Sequence, residues 1–160
     1  MDLQRELRYD AGVDAVFAML CDKDFRERVC EATLAKSYEV SIDAAGDTAS
    51  VRVSRALEAP DIAKKFVGDT MDVVQTERWQ APDADGTRRA DLEVVIPGKP
   101  GAMKGTVVLA PDGDGSVETI SGDVKVKIPL VGGKLEKEIA RGIVAGIKAE
   151  GQVGRDWLAG

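Results

Sequence analysis

A chain of 160 residues has the length of one domain and can bury a core without disulfides or a structural metal. Its composition, 44% hydrophobic and 31% charged, is that of a folded water-soluble protein, and no apolar run approaches the roughly 20 residues needed to span a bilayer. The net charge of -6 argues against binding a phosphate backbone, which takes clustered Lys and Arg, so nucleic acid is not an expected partner.

The opening MDLQRELRYD spreads its charges and has no apolar centre, so no secretory signal is read there and a cytoplasmic location is expected. Leu3, Leu7 and Tyr9 alternate with charged residues, which predicts a first strand. Val13, Val16, Phe17 and Leu20 follow at helical spacing. Asp22 to Asp24 separates that helix from a second one carrying Phe25, Val29 and Leu34. Cys21 and Cys30 fall in this helical stretch and are expected to be two reduced, buried thiols.

Six further strands are predicted from period-two apolar phases. They hold Tyr38, Val40 and Ile42; Val51, Val53 and Leu57; Met71, Val73 and Trp79; Ala90, Leu92, Val94 and Ile96; Val107 and Leu109; and Val124, Val126 and Ile128. One apolar and one polar face per strand is the pattern of an antiparallel sheet buried on one side. Turn-rich links such as Ala45-Gly46-Asp47 and Asp112-Gly113-Asp114-Gly115 read as hairpins. The longer link from Pro60 to Thr70 is expected to hold a short helix, capped by Asp61 and ended by Gly68.

From Lys134 onward Leu135, Ile139, Ile143 and Ile147 recur every four residues, and Val153, Trp157 and Leu158 continue the stripe. This predicts a long amphipathic C-terminal helix. Its glycines 142, 146, 151 and 154 each cost about 1 kcal/mol relative to Ala, so packing must hold the helix together. Gly142 and Gly146 point to a cavity beside the helix, although close backbone packing explains such glycines equally well.

The chain has no histidine, which excludes Ser-His-Asp and Cys-His nucleophilic systems and His-containing zinc sites. Gly132-Gly133-Lys134 fails as a phosphate loop because Leu135 stands where Ser or Thr is needed, and it reads as a hinge. Asp112 to Ser116 fails as a calcium loop because its sixth position is Val117. No metal, cofactor or catalytic residue is expected. More informative are Arg55, in phase with Val51 and Val53, and Gln75 and Glu77, between Val73 and Trp79. Burying such groups is costly unless something pairs with them, so they are candidates to orient a polar ligand group.

Three stretches, Asp14 to Asp22, Lys65 to Glu77 with Trp79, and Gly122 to Glu136, carry a resemblance over essentially the whole chain. The chain resembles the domain of unknown function 2505 family of the START-like superfamily. The resemblance implies an α+β helix-grip fold, one domain over 1–160, in which a curved antiparallel sheet of about seven strands wraps around the last helix. The order of predicted elements leads to the same arrangement.

The leading functional expectation is non-enzymatic binding or carriage of a hydrophobic small molecule, such as a lipid, isoprenoid or polyketide, between sheet and helix. Val51, Val53, Arg55, Met71, Glu77, Trp79, Leu92 and Met103 on the strands and Gly142, Ile143, Gly146 and Ile147 on the helix are the expected ligand-binding residues. Phe66, with Val67, is expected to gate entry. Two alternatives stand beside this reading. One is a cyclase or dehydratase using Arg55 or Glu77 in the same cavity, and the other is a protein-interaction or chaperone-regulating domain.

Overall fold

The computed structural model describes residues 1–160 and turns these periodicities into seven strands and four helices. The order is β1 (Asp2–Tyr9), α1 (Val13–Leu20), α2 (Lys23–Ala32), β2 (Ser37–Ala45), β3 (Thr48–Glu58), α3 (Lys64–Val67), β4 (Thr70–Trp79), β5 (Arg88–Val95), β6 (Gly101–Asp112), β7 (Gly115–Val126) and α4 (Gly132–Leu158). All strands join one antiparallel sheet in the order β1-β7-β6-β5-β4-β3-β2, so the first two strands form its opposite edges. The sheet curves around α4, as the predicted fold requires.

Local chemistry explains the boundaries. Asp22 accepts hydrogen bonds from the backbone N–H groups of Asp24 and Phe25 and so starts α2 as its N-cap. Leu34 lies beyond the end of α2, exposed and with φ 62°, so it extends no helical stripe. Asp61 caps no helix either. It opens a 3-10 turn, Asp61–Ala63, and its carboxylate sits 3.1 Å from Lys64 Nζ. Strand β7 begins at Gly115, well before the Val124 phase that announced it, because Ser116, Glu118 and Ile120 share the buried face. Cys30 is buried and Cys21 half-buried, and both are free thiols.

The curvature has a visible source where β6 crosses β7. Gly105 pairs with Gly122, and a Cβ on Gly105 would lie 1.8 Å from the Ser121 carbonyl oxygen. A Cβ on Gly122 would lie 2.9 Å from the Lys104 oxygen. Only glycine lets the two backbones approach so closely, which is how a sheet bends.

The interior divides in two along α4. Towards its C-terminal end the core is packed solid by Leu7, Tyr9, Val16, Met19, Leu20, Phe25 and Leu109. Here Gly151 and Gly154 admit close neighbours, because a Cβ would meet Leu7 Cδ2 at 2.8 Å and Tyr9 Cε1 at 2.9 Å. Gly142 and Gly146 behave oppositely, since a Cβ on either would meet no atom within 4 Å. Both readings of the helix glycines therefore hold, each for a different pair. Gly142→Ala and Gly146→Ala are accordingly expected to raise stability by about 0.5–1 kcal/mol each, read as a shift in urea midpoint, through helix propensity alone.

Candidate functional site

Beside Gly142 and Gly146, between the concave face of the sheet, α2 and α4, lies a cavity of about 590 Å³. Its volume is within the range of small-molecule sites. The wall is mostly apolar: Val53 and Leu57 on β3, Met71 and Val73 on β4, Leu92 and Val94 on β5, Met103 and Val107 on β6, Ile120 and Val126 on β7, and Leu135, Ile139, Ile143 and Ile147 on α4. Leu34, Pro60, Phe66, Val67, Pro100 and Ile128 extend the lining along the connecting segments.

Of the expected residues, Val53, Arg55, Phe66, Met71, Glu77, Leu92, Met103, Gly142, Ile143, Gly146 and Ile147 all line this cavity. Val51 and Trp79 do not. Both share the cavity-facing phase of their strands, but they lie outside the cavity lining, towards the ends of their strands. The Trp79 ring meets Phe17 of α1 edge-on, with centroids 5.4 Å apart, and Val51 is almost fully buried in the same packed region. Core packing takes these two positions.

The polar part of the wall is built around Arg26, which α2 carries into the interior. Its Nε donates to the Leu20 carbonyl at 2.7 Å, Nη2 lies 2.8 Å from Glu77 Oε2, and Nη1 donates to Glu150 Oε1 at 3.3 Å. Burial opposes the charge of Arg26, and Glu77 and then Glu150 more than offset that opposition. Glu118, on β7, completes the cluster and accepts from the Tyr9 hydroxyl at 3.4 Å. Burial first, and then the adjacent charge of Glu150, push the Glu118 carboxyl well above its ordinary value of 4.5, which favours its protonated form. Burial also raises Glu150, with Arg26 acting against it.

On the other side of Glu77 the network runs through neutral groups. Gln75 Nε2 donates to Glu77 Oε2 at 3.1 Å, and Gln75 Oε1 accepts from Arg55 Nη2 at 3.3 Å. Arg55 Nη1 donates to Thr33 Oγ1 at 3.2 Å. Arg55, Gln75 and Glu77 thus form one connected row on the concave face.

The sequence reading missed Arg26, Glu118 and Glu150. Each nevertheless carries a periodic signal: Glu118 is in phase with Ile120, Gly122 and Val124, Glu150 lies three residues after Ile147, and Arg26 three before Val29.

Because Glu118 holds its proton more tightly in the folded state than in an unfolded chain, which releases it around pH 4.5, this group's contribution to stability falls as pH rises from there towards its folded value. Within that window the slope is up to about 1.4 kcal/mol per pH unit. Glu118→Gln removes this penalty. The variant is expected to gain stability over wild type progressively as pH rises above about 4.5, measured by urea unfolding at several pH values, and a constant difference would contradict the assignment.

Comparison with known proteins agrees with this architecture. The family described as "Protein of unknown function (DUF2505)" matches residues 4–158. An uncharacterized protein of Mycobacterium tuberculosis (strain ATCC 25618 / H37Rv) is 26% identical over 142 residues, covering 82% of this chain and 81% of the relative. Among solved structures, the STAR-related lipid transfer protein of Xanthomonas axonopodis superposes with a TM-score of 0.63 at 20% identity, covering 96% of this chain and 85% of that one. The di-domain ARO/CYC protein StfQ of the steffimycin biosynthetic pathway superposes with a TM-score of 0.64 at 14% identity, covering 97% of this chain and 50% of that one. Likeness at these identities shows a shared START-like fold. With a family match spanning nearly every residue, this chain belongs to the DUF2505 family.

Proposed function

We propose that this chain is a one-domain binder or carrier of a hydrophobic small molecule of lipid, isoprenoid or polyketide type, acting in the cytoplasm. The observation that carries the reading is the cavity of about 590 Å³ with its predominantly apolar wall. A packed core leaves few voids larger than a water molecule, so an interior space of this size calls for an occupant. Phe66 and Val67, on the short α3, stand at the margin of the lining as its gate. No helix is long and apolar enough to cross a membrane.

The test is native mass spectrometry of the purified protein, followed by denaturation and analysis of what is released. A defined apolar mass that is lost in Gly146→Phe, whose ring fills the space beside α4, is the expected result. Bare protein in both samples, together with no uptake of an added apolar dye, would sink the reading.

One observation favours a second reading, a cyclase or dehydratase. A carboxyl group in the cavity wall whose burial strengthens its hold on a proton, as with Glu118, is suited to act as a general acid. Product formation from a cyclisable poly-β-ketone by wild type, abolished in Glu118→Gln, would support it. An interaction domain has less in its favour, because the exposed large apolar side chains are only Met1, Leu34 and Leu130.

A further inference from the structure

Two arginines line the cavity, and only one is electrically compensated. Arg26 has a carboxylate on each of two nitrogens and a carbonyl on the third. Arg55 has five N–H donors to place, and its two side-chain hydrogen bonds go to neutral oxygens, Thr33 Oγ1 at 3.2 Å and Gln75 Oε1 at 3.3 Å. No carboxylate oxygen approaches within 4.0 Å of it, and its buried Nε has no partner. Burial accordingly lowers its pKa. A half-buried guanidinium without a counter-ion is costly, and the fold places it in a wall that is mostly apolar.

Resting on the carrier reading above, we propose that the ligand is an amphipathic carboxylic acid whose carboxylate pairs with Arg55 while its apolar body fills the rest of the cavity. The planar guanidinium matches a carboxylate in a forked, two-point pairing, and such charge-assisted bonds are about twice as strong as neutral ones. The long contacts to Thr33 and Gln75 are the kind that an incoming anion displaces. A singly charged head group suits the site better than a phosphate, because Glu77 and Glu150 already bring negative charge to the same wall. The carboxylate supplies the counter-ion that Arg26 already has and Arg55 lacks.

The experiment is displacement of Nile red, a neutral apolar dye, by palmitate and by hexadecanol, which share a chain and differ in the head group. Wild type is expected to bind palmitate about ten-fold or more tightly than hexadecanol. Arg55→Gln should erase that preference by weakening palmitate binding much more than hexadecanol binding, and it should still fold, since it removes a half-buried charge that has no counter-ion. Arg55→Lys, which keeps the charge and loses the fork, should retain only part of the preference. Equal binding of acid and alcohol by wild type, or a preference that survives Arg55→Gln, would overturn the inference while leaving the carrier reading intact. Dye binding that neither compound displaces overturns the inference too, whereas failure of the dye to bind at all removes the carrier reading itself.

Discussion

Arg26→Ala is expected to cost about 3–5 kcal/mol of folding stability, measured as a fall in ΔG from urea unfolding at neutral pH. The magnitude follows from what the deletion leaves behind. Glu77 and Glu150 would lose their shared counter-ion within an interior that offers them little water. An unpaired buried carboxylate must take up a proton or draw in water, and either way the folded state loses free energy. Against a typical total of about 5–15 kcal/mol, such a loss is a large part of what holds a domain together. The double variant Arg26→Ala with Glu77→Gln should recover part of the loss, because it removes one orphaned charge. A single variant as stable as wild type would show that the cluster is solvated rather than buried.

Gly105→Val is expected to be the other severe substitution, costing about 3 kcal/mol. Its Cβ would lie 1.8 Å from the Ser121 oxygen and 2.6 Å from Gly122 Cα, both backbone atoms held by the β6–β7 ladder. No rotamer change relieves such an overlap, so the ladder has to open there. Hydrogen exchange should then speed up at the amides of Thr106 and Gly122 before it does at those of β3 or β4. Substitution of Gly133 by Ala, in the first turn of α4, would meet no neighbour and serves as the contrast.

These two positions also mark where sequence reasoning succeeds and where it stops. Period-two alternation places Val53, Arg55, Met71 and Glu77 on one face of adjacent strands, and the register of β3 with β4 confirms that common face. Four-residue spacing from Leu135 to Ile147 gives the helix that the sheet wraps. Phase, however, reports the face of a strand and not the depth beneath a covering helix. Val51 and Trp79 share the phase of the cavity residues, yet Trp79 packs on Phe17 of α1 and Val51 is buried in the core. The charged cluster was harder still, because Arg26 and Glu150 lie far apart along the chain and each reads locally as one polar residue beside an apolar stripe. Their meeting depends on how α2 docks against α4. The arrangement that decides which ion finds which partner is tertiary, and no local period encodes it.

The placement of β1 bears on how the molecule is made. It is the first strand to leave the ribosome, yet its sole neighbour in the sheet is β7, so that Leu3 waits for Gly122 and Tyr9 for Ser116. The hairpins from β2 to β7 can zip between neighbours in order, each closing a short loop. The β1–β7 pairing closes a loop spanning most of the chain, with the entropic cost and slow rate that attend large sequence separation. Because α4 packs against both of these strands, the last strand and the last helix are needed together to seal that edge. Until they arrive, the first strand is an unpaired ribbon with its apolar side chains Leu3, Leu7 and Tyr9 uncovered, the stretch of the nascent chain most in need of protection from its neighbours.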